Sequence, residues 1–263
     1  MPLVAGPLRG YIWFMLNVIE HGAATDRPQV LIAHGLFGSA RNWGVIAKRL
    51  SADRLVRVVD MRNHGESGWD ASHSYRDLAG DLAGVLDGPT DVIGHSMGGK
   101  AAMALALLHP EHLRRIVVAD IAPVAYDHTQ LHLVTAMQAL DLSEITSRTQ
   151  ASAALEASVP DAGVRAFLLQ SLDIAQHRWK LNLDVLGARM AEIIGWPELP
   201  GTFLEPTLFL SGGISDYVLP KHRETIRTHF PAARFAKIPG VGHWLHAEKP
   251  REFEAACRAF LDA

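Results

Sequence analysis

The pentad Gly94-His95-Ser96-Met97-Gly98 constrains this chain more than any other stretch. A short strand-like run at 91–93 leads into it, and an Ala-, Leu- and Met-rich run at 101–108 follows. It therefore reads as the turn between a buried strand and a helix. A strand that becomes a helix within so few residues makes a strained tip, from which the Ser96 hydroxyl projects. Gly94, Gly98 and Gly99 suit that turn, because larger side chains would collide with the adjoining strand and helix. The backbone N–H of Met97, opening the helix, points to where a carbonyl oxygen would become negative.

The rest of the chain alternates. Residues 11–19 read as a first strand, broken by His21-Gly22. The apolar run 29–33, bounded by Pro28 and Gly35, has the character of a buried parallel strand. Residues 42–50 carry a helical pattern, and 55–59 form the next strand, ending at Asp60. Ser74 reads as an N-cap with Asp77 three residues on; its helix runs to about Leu86, with Leu78, Leu82 and Val85 on one face. The helix at 101–108 stops at His109-Pro110, and the strand 116–119 ends at Asp120. From about 125 to 200 there are helical patterns and no convincing strand. Ser143 and Asp161 look like N-caps there, and Leu183, Leu186, Met190 and Ile194 recur at helical spacing. Strands return at 206–210 and 232–238, and a helix over 249–261 closes the chain. Such alternation specifies an α/β fold, a mostly parallel sheet with helices on both faces. The expected division is a core of residues 1–124 and 201–263, with 125–200 inserted as a helical cap. Ligands of such sheets sit beyond the carboxyl ends of the strands, where each candidate catalytic residue falls.

Composition narrows the partners. With 263 residues, 48% hydrophobic and 20% charged, the chain has the balance of one large globular domain. A net charge of −3 offers no basic stripe for nucleic acid. The one cysteine, Cys257, excludes an internal disulfide. Its place among Phe253, Ala256 and Phe260 suggests a packed thiol. The apolar run from Tyr11 to Ile19 is too short to span a bilayer, and no signal-type segment precedes it. The expectation is a cytoplasmic enzyme without membrane partner, a monomer or small homo-oligomer.

A serine hydroxyl needs a general base, best a histidine oriented by a carboxylate. In a strand–turn–helix setting the chain order is serine, acid, histidine. Of 14 histidines, His243 in Gly240-Val-Gly-His-Trp lies late in the chain and directly after the last strand, so it reads as the base. His246 reads as loop packing and His95 as a structural residue turned from the cleft. His128 and His132 lack a third ligand and read as a solvated helix face, not a metal site. A second oxyanion donor is expected from His34-Gly-Leu-Phe-Gly38, at the end of a strand. The Leu36 N–H is the first choice and that of Phe37 the second.

The strings His34-Gly-Leu-Phe-Gly-Ser39, Asp60-Met-Arg-Asn-His-Gly65, Gly94-His-Ser-Met-Gly-Gly-Lys100, Asp120-Ile-Ala-Pro-Val124 and Gly240-Val-Gly-His-Trp-Leu-His-Ala-Glu-Lys-Pro250 closely resemble the small YbfF-type esterases of the α/β-hydrolase superfamily. The likeness covers nearly the whole chain. It implies serine-dependent hydrolysis of carboxylic esters and thioesters, acyl-CoA-like ones included, with no metal or organic cofactor. It also bears on the acid. In many α/β-hydrolases this residue follows the strand before the last. There, aligning Ser-Asp-Tyr-Val218 with the usual Asp-Pro-x-Val pattern puts Ser215 at the acid position. The YbfF-type enzymes resemble this arrangement, with the acid moved to the end of the preceding strand, here Asp120. Asp120 is then the acid and Ser215 an auxiliary polar group; Asp216 is the alternative, and Asp184 a remoter one.

Asp60 and Arg62 are expected to hold loops together, Lys100 to point outward from its helix, and Trp196 and Trp244 to serve as core or pocket wall. The reading is a carboxylesterase or thioesterase acting through an acyl-enzyme. Ser96 argues against dehalogenases and epoxide hydrolases, which resemble it but carry aspartate at that turn. A carbon–carbon bond hydrolase, a cofactor-free perhydrolase, or a ligand receptor on a hydrolase scaffold stand as alternatives.

Overall fold

The computed structural model describes residues 16–263. Five strands come first: β1 Val18–His21, β2 Gln29–Ala33, β3 Val56–Val59, β4 Thr90–His95 and β5 Leu113–Ala119. Three helices lie among them: α1 Gly44–Leu50, α2 Tyr75–Ala83 and α3 Met97–Leu108. There follow α4 Leu131–Ala139, α5 Arg148–Leu155, α6 Ala162–Leu168, the short strands β6 Leu172–Asp173 and β7 Arg178–Trp179, and α7 Leu183–Ala188 and α8 Met190–Ile194. Strand β8 Thr207–Gly212, helix α9 Arg223–His229, strand β9 Ala233–Ile238, and helices α10 Leu245–Glu248 and α11 Pro250–Leu261 complete the chain.

The main sheet has seven strands in the order β1-β3-β2-β4-β5-β8-β9. Only β1 pairs antiparallel; the other neighbours run parallel. Side chains alternate across it with the two-residue period of a strand. Val92, Ile116, Val118 and Phe209 face one cluster with α2 and α3, while Ile93, Val117, Leu208 and Leu210 face a second with α1 and α11. Both faces are covered, which is why these strands read as continuous apolar runs. Because β2, β4, β5, β8 and β9 are parallel, their carboxyl ends share one edge of the sheet, and the loops after them meet there.

Several details depart from expectation. Of the strand expected over 11–19, residues 11–15 lie outside the described residues; Leu16 and Asn17 precede the strand, and β1 runs from Val18 through His21. Ser74 caps α2 by accepting from the Asp77 N–H, but the helix stops at Ala83, where Gly84 closes it onto Gly80. Ser143 caps nothing: its hydroxyl closes a turn onto Asp141, and Ser147 caps α5 by accepting from the Gln150 N–H. Asp161 does cap α6. The periodic stretch from Leu183 to Ile194 is two helices, broken at Arg189. Between β5 and β8 the regular elements are helices apart from the ribbon of β6 and β7, with two residues per strand. No helix among the described residues is long and apolar enough to cross a membrane.

Candidate active site

Ser96 sits between β4 and α3 at φ 53° and ψ −120°. That conformation is rare for a residue with a Cβ and costs on the order of 1–3 kcal/mol, so the surroundings must impose it. They do. The Ser96 N–H donates to the Ala119 carbonyl at 3.0 Å, and its carbonyl accepts from the Lys100 N–H at 3.0 Å. The turn is tight enough that a Cβ at Gly94 would strike the Gly98 carbonyl, and one at Gly98 the carbonyls of Ala33 and His34. Phe37 at φ 63° and Asp120 at φ 52° are two further non-glycine residues held at positive φ, each just past the carboxyl end of a strand.

The Asp120 side chain is fully buried and makes three hydrogen bonds. Its Oδ2 lies 2.7 Å from His243 Nδ1 and accepts from the Ser215 hydroxyl at 2.5 Å; its Oδ1 accepts from the Gly212 N–H at 3.0 Å. With Nδ1–H donating to the carboxylate, Nε2 of His243 is left as the basic nitrogen. Ser96 and His243 line the same cleft. No hydrogen bond joins them among the described residues; a serine–histidine bond of this kind can be open in a ligand-free site and close on binding. Asp216, the alternative acid, is exposed and makes no hydrogen bond or ion pair with His243 among the described residues; on that turn it is Ser215 that bonds to Asp120. Asp184 is also exposed, bonded to Gln138 at 2.7 Å.

The loop after β2 is held from beneath by two buried, neutral histidines. His34 donates from Nδ1 to the Gly35 carbonyl and accepts at Nε2 from the Met61 N–H. His64 donates from Nδ1 to the Arg62 carbonyl and accepts at Nε2 from the Phe37 N–H at 3.2 Å. Burial pushes both imidazoles down, His64 well below its ordinary value. The Phe37 N–H is therefore engaged, while those of Leu36 and Met97 have no acceptor among the described residues. The floor is tied by Asp60, which accepts from Ala40, Asn17 and Glu66, and by Arg62, which pairs with Asp81 through two bonds.

The cleft encloses about 890 Å³ of empty space open to solvent, and its lining is mostly apolar. Leu133, Val164, Phe167, Ile193 and Ile194, all from the region between β5 and β8, form part of its wall. Trp244 also lines it, against Phe167 at 5.7 Å. Trp196 packs instead beside Tyr75. His95 is buried and donates from Nε2 to the His243 carbonyl at 2.9 Å, so it braces that loop; His246 stacks on Trp43 at 4.2 Å.

Three residues behave otherwise than their sequence context suggests. Lys100 does not point outward: it is 1% exposed, and its Nζ donates to the carbonyls of Ile194 at 2.8 Å and Gly195 at 2.5 Å. Burial lowers its ammonium to about 7. His128 is exposed, yet it lines the cleft and bonds through Nε2 to the Tyr217 hydroxyl at 2.8 Å, whereas His132 lies on the exposed face. No group of three candidate metal ligands forms among the described residues. Tyr217, which no sequence motif marks, stacks on His243 with centroids 4.0 Å apart. Its one signal was its place directly after Ser215-Asp216.

Residues 30–256 match the model of the alpha/beta hydrolase family. The chain is 40% identical over 243 residues to the esterase YbfF of Escherichia coli (strain K12), covering 90% of this chain and 94% of that one. It is also 40% identical over 249 residues to the sn-1-specific diacylglycerol lipase ABHD11 of Mus musculus, covering 89% and 81%. A solved structure titled as a marine microorganism esterase superposes with a TM-score of 0.88 at 34% identity, covering 94% and 99%. The strand order, the strained turn at Ser96 and these likenesses together make this chain a member of the α/β-hydrolase family.

Proposed function

We propose that this chain is a serine hydrolase that cleaves carboxylic esters and acyl thioesters of small to medium acyl groups. Ester cleavage agrees with the relatives, which are named an esterase and a diacylglycerol lipase. Thioesters follow from the chemistry, since an acyl-enzyme forms with either leaving group. The single observation that carries the reading is the buried Asp120 carboxylate 2.7 Å from His243 Nδ1, in the cleft that Ser96 enters on its strained turn.

In this reading His243 Nε2 takes the proton from Ser96 Oγ as the oxygen attacks the acyl carbon. Asp120 holds the tautomer and offsets the charge gained by the ring. Ser215 and the Gly212 N–H fix the carboxylate in turn. The free N–H groups of Leu36 and Met97 receive the oxyanion. His243 then returns the proton to the leaving alkoxide or thiolate and activates water against the acyl-enzyme. Residues 125–200 act as a cap: their side chains form part of the apolar wall, where an acyl chain is shielded from water.

The test is Ser96→Ala, assayed on p-nitrophenyl acetate with circular dichroism as the fold control. Turnover is expected to fall by about 10⁴-fold or more with the fold intact. Turnover within tenfold of the parent in the folded variant would overturn the mechanism.

A further inference from the structure

The imidazole of His243 meets more than its carboxylate. The ring of Tyr217 lies almost parallel to it, with 4.0 Å between centroids and 19° between planes. Tyr217 is itself held at both ends. Its N–H donates to Ser215 Oγ at 3.3 Å, and that hydroxyl is bound to Asp120. Its carbonyl accepts from the Tyr126 hydroxyl at 2.8 Å, and its own hydroxyl is bonded to His128 Nε2 at 2.8 Å. A ring fixed in this way makes a rigid plate against the face of the imidazole.

We infer that Tyr217 is a positioning residue for His243: its ring face fixes the imidazole plane and favours the imidazolium formed during acyl transfer. This rests on the proposed role of His243 as base. Two physical effects support it. A stacked plate opposes rotation of the ring, which keeps Nε2 directed at the cleft while Asp120 holds Nδ1. An aromatic face also carries partial negative charge, so a cation over it is stabilised. Asp120 meets the new charge at the ring edge, and Tyr217 meets it at the face.

The other groups around the ring do not mimic this effect. His95 stands 4.7 Å away at 42°, and His246 packs behind it. Burial keeps both neutral: His95 lies well below its ordinary value and His246 is lowered to about 3. Burial, with Asp216 and Asp120 nearby, raises the Tyr217 phenol to about 12, so the plate is uncharged wherever the enzyme works.

The experiment compares pH profiles of kcat and kcat/KM on p-nitrophenyl acetate for the parent, Tyr217→Leu and Tyr217→Phe. Loss of a cation–π face at a partly desolvated site corresponds to about a 3- to 30-fold effect. For Tyr217→Leu we expect kcat to fall about 10-fold with KM within about 2-fold. The acid limb of kcat/KM should move down by about half a pH unit, since the imidazolium loses support. Tyr217→Phe keeps the face and is expected to keep both the rate and the limb. A purely structural wall would leave the limb in place. If Tyr217→Leu matches the parent in kcat and limb, or if Tyr217→Phe is impaired equally, the inference is overturned. His243→Ala separates the two levels: substantial turnover in that variant sinks the base assignment itself, whereas a dead His243→Ala beside an unaffected Tyr217→Leu sinks only the role of Tyr217. If Tyr217→Leu loses its cooperative melt, Tyr217→Met, of similar reach and with no π face, replaces it.

Discussion

At the scale of single residues, the site depends on which carboxylate turns inward. Asp120 is buried at φ 52° with three hydrogen bonds, one of them to His243; Asp216 is exposed four residues beyond the end of β8. Asp120→Asn is therefore expected to lower kcat by about 10³- to 10⁴-fold, because an amide cannot hold the reactive tautomer. Asp216→Asn should leave kcat within about twofold, as for surface changes remote from the chemistry. The reverse pattern in steady-state assays would move the acid to the β8 loop. The residues themselves were unevenly legible. Ser96 and His243 announce themselves by motif and by position in the chain. Asp120 does not, because spacing along the chain cannot say which strand end lies beside the histidine; it was read only through likeness to a family. Lys100 reads from the sequence as solvated, as a lysine at a helix start ordinarily is, and nothing local signals the two carbonyls above it. Tyr217 has no signal beyond its place after Ser215-Asp216, because its stacking on His243 joins two separate loops.

At the scale of elements, the long pieces were readable because their apolar faces repeat. The errors fall where elements are too short to show a period. The β6–β7 ribbon has two residues per strand, and Arg189 breaks a stretch whose apolar spacing continues unchanged through the break. At α5 the usable signal was Gln150 three residues after Ser147, the pattern of a capping box. One contact joins elements on the two sides of the cleft. Lys100, one turn along α3 from Ser96, donates to the carbonyls of Ile194 and Gly195 at the end of α8. Its Nζ also lies 4.8 Å from the Tyr126 ring centroid and 5.7 Å from that of Tyr75. Ile193 and Ile194 line the cleft, so this tie holds a wall of it in place. Lys100→Met keeps the length of the side chain and leaves the Gly195 carbonyl without its donor, while the Ile194 carbonyl keeps only the Tyr126 N–H at 3.1 Å. It is expected to destabilise the protein by about 1–3 kcal/mol, read as a lower melting temperature. If Ile193 and Ile194 bound the acyl site, KM should rise about 3- to 10-fold for p-nitrophenyl hexanoate, with kcat on the acetate nearly unchanged, since a contact worth about 1 kcal/mol is lost from ground-state binding. Equal effects on both esters would show that the tie serves the strained turn at Ser96 instead.

At the scale of the molecule, the parallel sheet has two unlike edges. Its carboxyl edge gathers Ser96, Asp120, Ser215 and His243 from loops spread over most of the chain, and that convergence follows once the strands are known to be parallel. Its amino edge shows what strand logic does not reveal. Asp91, read only as the start of a strand, is completely buried near the beginning of β4, and neither of its carboxylate oxygens has a hydrogen bond among the described residues. Arg114 stands 3.6 Å away and offsets the charge only in part. Burial raises this carboxyl from the ordinary 3.8 to about 6. The sign of the linkage follows. Between about pH 4 and 6 the folded chain holds a proton at Asp91 that the unfolded chain has released, so this group's contribution to stability falls as pH rises through that window and stays low above it. The ionised group then costs the fold on the order of 1–3 kcal/mol at pH 8. Asp91→Asn removes that titration and keeps the shape. The variant should melt above the parent at pH 8, by a few degrees for a chain of this size, and the advantage should shrink towards pH 4.5. A variant that melts below the parent by the same margin at both pH values would mean that the Arg114 pair contributes more than the burial costs. The charge would then belong to the architecture of the sheet's amino edge rather than being tolerated by it.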